Sequence, residues 1–135
     1  MTQTGRSRPQ LGLADTSLFI AMEQRRPLHG EPPERIAISV VTVGELRLGV
    51  LAAMDGPTRA LRLETLTRAE LLGPLPVERQ VAGAWAALRL ALREEGRRMP
   101  VNDSWIAATA IAHDIPVVSQ DDDYDGVPDL TVIRV

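Results

Sequence analysis

Acidic residues stand at four points of this chain where apolar segments end or are interrupted. They are Asp15 after LGLA, Glu45 inside VVTVGELRLGV, Asp103 in VNDSW, and the run 121–123 after PVVSQ. If these acids converge, like charges ~4 Å apart repel by about 4 kcal/mol at an effective dielectric constant of ~20. Raised pKa values or a divalent cation would then relieve the repulsion. Since neither His nor Cys accompanies them, the oxygen ligands predict Mg²⁺ or Mn²⁺ and hydrolysis of phosphodiesters.

Helix capping is the alternative explanation for these acids. Asp15, Glu45 and Asp103 each fall near the start of a predicted helix, where a carboxylate is favourable. Capping alone is a poorer explanation for acids at several strand ends, because ligands of open α/β sheets bind beyond the carboxyl ends of the strands. A shared acidic site is therefore the preferred hypothesis.

The run DDDYDG at 121–126 has the spacing that opens a calcium-binding EF-hand loop. That loop closes with a Glu at its twelfth position, which here is Val132, and it lies between two helices. The flanking segments IPVVS and LTVIRV are β-branched and predict strands. The sequence thus predicts an acidic turn between two strands and excludes an EF-hand.

The composition limits the class of protein. The chain has 135 residues, 44% apolar and 24% charged, which predicts one globular domain. Without Cys, an 18-residue apolar run or a recognisable secretory signal, a cytoplasmic protein with no membrane span is expected. The net charge of −3 argues against a strongly basic nucleic-acid binder, although a metal-filled acidic site can still accept RNA. All 15 basic residues are Arg, and the absence of Lys excludes P-loop, receiver-domain and haloacid-dehalogenase-type sites.

Strand and helix patterns alternate along the chain. The predicted strands are 11–15, 36–41, 73–77, 116–119 and 130–135. The predicted helices are 16–22, 42–54, 57–72, 81–95 and one that begins at Asn102 as its cap. This alternation predicts an α/β fold with a mostly parallel central sheet, preceded by a flexible lead-in at residues 1–10.

Three segments carry a combination of motifs that is more specific than any one of them. They are LADTSLFI, ISVVTVGELRLGV and VNDSWIAATAIAHDIPVVSQDDDY. In this order, over residues 11–135, they resemble the PIN-domain ribonucleases, specifically the VapC-type toxins of bacterial toxin–antitoxin pairs. The resemblance implies a single PIN-like domain over 11–135, built as a three-layer α/β/α sandwich. It also implies a Mg²⁺- or Mn²⁺-dependent RNA-cleaving site at the strand ends.

The resemblance assigns roles to individual residues. The implied catalytic and metal-binding acids are Asp15, Glu45, Asp103 and Asp121, with Asp123 as the alternative fourth ligand. Asp15 and Asp103 are the expected direct ligands, while Glu45 binds metal through water or positions the attacking water. Thr16 and Ser119 match polar positions that orient the acids or the phosphate.

The resemblance also implies partners. They are a cognate VapB-like antitoxin that binds across the site, a second copy of the chain in a homodimer, and structured RNA such as tRNA. Candidate contacts to RNA or antitoxin are Arg25, Arg26, Arg47, Arg97 and Arg98. Two alternatives stay open: a PIN-like RNA-processing nuclease without an antitoxin, and a non-catalytic module that binds metal or protein.

Overall fold

Strands and helices alternate in the computed structural model, which describes residues 10–135. The strands are β1 (Leu11–Ala14), β2 (Arg35–Ala37), β3 (Val117–Ser119) and β4 (Val132–Arg134). The helices are α1 (Thr16–Glu23), α2 (Val40–Ala52), α3 (Gly56–Glu70), α4 (Arg79–Glu94) and α5 (Val101–His113).

The four strands form one parallel sheet in the order β2-β1-β3-β4. Strand β1 lies at the centre and pairs with β2 on one side and β3 on the other, with Ala14 opposite Val118. Along the chain, the strand after β1 is therefore added on one side of it, and the next strand, β3, is added on the opposite side. In such sheets a crevice opens at the carboxyl ends of the strands on either side of this reversal. Here these are the ends of β1 and β3.

Alternate residues of the two central strands face two separate cores. Leu13 and Val117 pack with residues of α4 and α5, including Leu88 and Ile106. Ala14 and Val118 pack with residues of the first three helices, among them Leu18, Phe19, Leu46 and Leu66. Since successive side chains of a strand point to opposite faces, helices cover both sides of the sheet. The predicted three-layer α/β/α fold is confirmed.

Gly12 allows β1 and β3 to lie side by side with their helices in place. A Cβ atom at this position would stand 2.5 Å from Cγ2 of Val118 and 2.9 Å from Cγ of Pro33. No side chain fits there without displacing a neighbour that is already packed. The missing side chain at residue 12 thus leaves room for Val118 and Pro33 against β1.

The second predicted strand was too long. β2 spans Arg35–Ala37, and α2 begins at Val40 because Ser39 caps it by accepting a hydrogen bond from Val41 N–H at 3.0 Å. The β-branched residues at 40 and 41 favour a strand by propensity, but the cap makes them the first turn of a helix.

The strand predicted at 73–77 is reduced to a single bridge between Ser39 and Leu75. Pro74 and Pro76 flank Leu75 and have no N–H to donate, so the pairing cannot extend. The acidic turn therefore follows the third strand of the chain, not the fourth.

The cap predicted for the last helix was also wrong. Pro100 occupies the cap position of α5, so Asn102 lies inside the first turn. The lead-in predicted at residues 1–10 falls, apart from Gln10, outside the described residues. Over residues 10–135, no helix is both long and apolar enough to cross a membrane.

Candidate active site

Asp15 directly follows β1 and is buried, with 3% of its surface exposed. Its backbone N–H donates to the carbonyl oxygen of Val118 at 3.0 Å, which ties it to β3. Both carboxylate oxygens accept hydrogen bonds, from Ser17 Oγ at 2.6 Å and from Ser119 Oγ at 2.8 Å. Burial outweighs these bonds and raises the pKa of Asp15 to about 6.

The same two serines fix the loop that follows β3. Ser17 Oγ accepts a hydrogen bond from Gln120 N–H at 3.1 Å, and Ser119 Oγ accepts one from Asp121 N–H at 2.9 Å. Their hydroxyls therefore connect the carboxylate of Asp15 to the backbone of the acidic turn. Ser119 was predicted to orient the acids or the phosphate; its hydroxyl bonds the carboxylate of Asp15 and the backbone N–H of Asp121.

Glu45 approaches the site from α2, and both of its carboxylate oxygens have a donor. Thr16 Oγ1 donates to Oε1 at 2.6 Å, and Asn102 Nδ2 donates to Oε2 at 3.4 Å. Oγ1 of the fully buried Thr42 lies 3.3 Å from Thr16 Oγ1 and packs behind it. Glu45 is thus held between the first turns of α1 and α5.

Asp103 lies half-buried in the first turn of α5. The hydroxyl of Tyr124 donates to its Oδ1 at 3.3 Å, and the Tyr124 side chain is fully buried in the core beside α4 and α5. Burial, then the charges of Asp123, Glu45 and Asp15, raises the pKa of Asp103 to about 6 against the opposing Tyr124 bond. Burial and the charge of Asp15 hold the pKa of Tyr124 above its usual range, so its hydroxyl remains a donor.

The acidic turn places one carboxylate near Asp15 and another near Asp103. The charge of Asp121 raises the pKa of Asp15, and the charge of Asp123 raises that of Asp103. The pKa of Asp121 is raised by partial loss of water around it and by the charges of Asp123 and Asp122. Both Asp121 and Asp123 interact with the other acids, and which of them is the fourth ligand stays a prediction.

The donor atoms suit a hard divalent cation, because all of these side chains are carboxylates. Over the described residues, no group of three or more His, Cys, Asp or Glu side chains is placed to hold one ion. Hydroxyl and amide donors, rather than a third acid, are the immediate partners of Asp15 and Glu45. The oxygen ligands therefore suit Mg²⁺ or Mn²⁺. The carboxylates are not arranged as a complete coordination sphere for one ion.

Two of the arginines predicted as contacts have partners within the chain. Arg47 forms an exposed ion pair with Glu70 at 3.2 Å. Arg97 donates to the backbone carbonyl oxygens of Asp123 and Asp125, and so supports the acidic turn. A surface ion pair was the alternative interpretation of Arg47 from the sequence, whereas the support that Arg97 gives to the acidic turn was not predicted.

The other three predicted arginines are exposed at different places. Arg26 lies close enough to Asp121 to oppose the rise of its pKa. Arg25 lines an apolar cleft of about 400 Å³ between α1 and α3, and Arg98 lines a cavity of about 550 Å³ beside α4. Of these three arginines, Arg26 is the one whose charge acts on an acid of the site.

Sequence reasoning missed three residues that orient the acids: Ser17, Asn102 and Tyr124. A hydroxyl two positions after a strand-end acid could have indicated Ser17. Asn102 precedes Asp103 but was assigned to the helix cap, and its partner Glu45 lies 57 positions away. The role of Tyr124 could have been predicted from its place inside an acidic turn, since an aromatic ring buried there packs under the site.

Known proteins match both the sequence and the fold. Residues 13–130 match the family model of the PIN domain. The chain is 47% identical over 131 residues to Ribonuclease VapC5 of Mycobacterium tuberculosis, covering 94% of this chain and 97% of that protein. It is 48% identical over 128 residues to Ribonuclease VapC4 of the same organism, covering 91% and 95%.

Solved structures of related proteins have the same fold. The crystal structure of VapBC-5 from M. tuberculosis, a member of the VapBC family of toxin–antitoxin systems, matches with a TM-score of 0.83 and 43% identity. That match covers 94% of this chain and 100% of the other. The FitAcB structure from Neisseria gonorrhoeae matches with a TM-score of 0.72 and 29% identity, covering 91% and 96%.

Proposed function

Since the chain belongs to the PIN-domain family, we propose that it is a Mg²⁺- or Mn²⁺-dependent endoribonuclease and the toxin of a toxin–antitoxin pair. The observation that carries the proposal is the pair Asp15 and Asp103, both with a pKa near 6 and both at the switch point of the sheet. Perturbed carboxylates that interact in a crevice are typical of catalytic sites. The names of the ribonucleases VapC5 and VapC4 support the nuclease activity.

The acids would hold the cation. Asp15 and Asp103 are the direct ligands, and Asp121 or Asp123 completes the set. When bound, the cation lowers the pKa of a water molecule and neutralises negative charge that develops on the phosphodiester.

The neighbouring polar residues prepare these acids for the reaction. Ser17 and Ser119 fix both oxygens of Asp15, so its carboxylate does not rotate away from the crevice. Thr16 and Asn102 orient Glu45, which positions the attacking water and accepts its proton. Such positioning matters because misplacement of a reacting group by about 1 Å can reduce the rate by ~100-fold.

A VapB-like antitoxin is the proposed protein partner. The VapBC-5 structure belongs to a toxin–antitoxin system, and this chain aligns with all of the matched chain. Apolar side chains that a partner could cover include Leu48, Leu51 and Met54, which are 66%, 71% and 96% exposed. A homodimer and a structured RNA substrate such as tRNA complete the proposal.

Cleavage of RNA by the purified protein tests the activity. Unfractionated tRNA should be cut with Mg²⁺ or Mn²⁺ and remain intact in excess EDTA. Asp103→Asn should reduce the rate by about 100-fold or more, because it removes the charge that binds metal and leaves the shape unchanged. Asp114→Asn is the matched control at the other end of α5, where the left-handed backbone suits Asn. Full activity in EDTA, or in Asp103→Asn, would refute the mechanism.

Expression in cells distinguishes the alternatives. A toxin should stop growth, and co-expression of the small protein encoded beside it should restore growth. Growth arrest that no neighbouring protein relieves would favour an RNA-processing nuclease. A protein that binds Mn²⁺ but leaves every RNA intact would be a non-catalytic module.

A further inference from the structure

Four arginines line one cavity of about 550 Å³ where α4 ends and the chain turns into α5. The lining residues are Arg89, Leu92, Arg93, Gly96, Arg97, Arg98 and Met99. No acid is among them, although the chain as a whole carries a net charge of −3. The cavity is therefore a local concentration of positive charge on an acidic protein.

Two of the four guanidinium groups are fixed within the structure. Arg89 donates to the carbonyl oxygen of Met99 at 3.2 Å, and its Cζ lies 5.8 Å from the ring centroid of Trp85. Arg97 donates to the carbonyl oxygens of Asp123 and Asp125. These bonds build the wall of the cavity and leave its other two arginines to contact a ligand.

Arg93 and Arg98 are the unpaired members of the cluster. Both are exposed, and neither guanidinium group forms an ion pair or hydrogen bond with a residue in the range 10–135. Arg93 gains some stabilisation from the carbonyl end of α4, which favours a cation there. That effect does not explain why Arg98, beyond the helix, faces the same cavity.

The cavity lies beside the acidic site. Two residues of loop and two of helix separate Arg98 from Asp103, so their Cα atoms are at most roughly 16 Å apart. Arg97 joins the cavity to the acidic turn directly, because it holds the carbonyl of Asp123. One strand of nucleic acid can thus contact both places.

We infer that Arg93 and Arg98 bind the phosphate backbone of the RNA, at nucleotides flanking the cleaved bond. This inference rests on the proposed nuclease function. An acidic crevice repels a polyanion, so the substrate needs positive charge beside it to bind in register. Guanidinium groups meet this need because they donate two hydrogen bonds to one phosphate.

Fluorescence anisotropy with labelled, unfractionated tRNA in EDTA measures this contact without cleavage. Arg93→Ala combined with Arg98→Ala should weaken binding about 25- to 60-fold at ~0.1 M salt, since each phosphate contact contributes about 0.7 to 0.9 to the salt slope. The slope of log K against log salt should fall by about 1.4 to 1.8. Arg79→Ala with Arg35→Ala is the matched control, because both residues are exposed and the net charge change is the same.

The control pair lies away from the site. Arg79 is the first residue of α4, and Arg35 is the first residue of β2, at the end of the sheet opposite the crevice. Equal binding by the two double variants would overturn the inference, as would loss of antitoxin binding with RNA binding unchanged. If wild-type protein binds tRNA through these arginines but cleaves no RNA with metal, the proposed activity fails while the RNA-binding role of Arg93 and Arg98 stands.

Discussion

Asp15 is a buried acid whose ionised form reduces the stability of the fold. Hydroxyl donors bond both of its oxygens, yet burial still raises its pKa to about 6 from an ordinary value of 3.8. The folded state therefore binds a proton more tightly than the unfolded chain between pH 4 and 6. Stability falls as pH rises through this window, and the full penalty of ionisation is present above pH 6. The charge of Asp15 is destabilising in the absence of a cation.

Replacing Asp15 by Asn should stabilise the metal-free protein at pH 8. The difference of about two pKa units corresponds to a penalty on the order of 3 kcal/mol, which a neutral amide avoids. Urea denaturation in EDTA at pH 8 and at pH 4 measures the effect, because the two proteins should converge at pH 4. A variant that is less stable than wild type at pH 8 would mean that the serine bonds outweigh the desolvation of the carboxylate.

Three side chains hold the acidic turn at 121–126 to the rest of the fold. The Tyr124 ring is buried beneath it, and Arg134 of β4 bonds Asp125 Oδ2 at 2.7 Å. Arg97 donates to two backbone carbonyls of the turn from the connection between α4 and α5. These contacts fix Asp121 and Asp123 beside the other acids despite their mutual repulsion.

Arg97→Ala should loosen the turn without unfolding the domain. Loss of charged donors to two carbonyls is expected to reduce the free energy of unfolding by about 1–2 kcal/mol, because water replaces part of the bonding. Hydrogen exchange should accelerate at the amides of Asp125 and Val127, whose bonds close the turn. Arg79→Ala is the control on an exposed helix surface. Unchanged exchange at both amides would show that Tyr124 and Arg134 suffice.

In the whole molecule, the fold places acidic side chains in one region and arginine side chains in a region next to it. The acids meet where β1 and β3 end, and the arginine cavity opens beside them where α4 ends. A cation at the first region would relieve repulsion that the chain leaves uncompensated, since protonation removes it only below about pH 6. Cation binding at this proposed site would therefore be coupled to folding.

Magnesium should raise the thermal stability of the protein more at pH 8 than at pH 5. For a dissociation constant of ~1 mM, about 10 mM Mg²⁺ contributes roughly 1.4 kcal/mol through binding to the folded state alone. At pH 5 protons compete for Asp15 and Asp103, so the shift should shrink. Thermal melts against NaCl of equal ionic strength measure it, with Asp103→Asn as the variant that should not respond. An equal response in that variant would place the cation elsewhere.

The sequence alone predicted the layer order of the fold, which the structure confirms, and the residues proposed to carry the chemistry. Strand and helix periodicity is local, so the α/β class followed from short stretches of sequence. The positions of Asp15, Glu45 and Asp103 after predicted strands or in first helical turns were predictable for the same reason. The strand predicted at 36–41 was too long, because the hydroxyl of Ser39 caps a helix where β-propensity favours a strand.

Only the tertiary structure decided how these residues meet. Ser119 donates to Asp15 from 104 positions away, and this contact depends on β3 lying next to β1. Tyr124 reaches Asp103, and Asn102 reaches Glu45, because the helices cover particular faces of the sheet. Such contacts depend on strand order and side-chain burial, which are properties of the packed molecule and not of any segment. The same packing raises the pKa values of the acids, since burial is the largest cause for both Asp15 and Asp103.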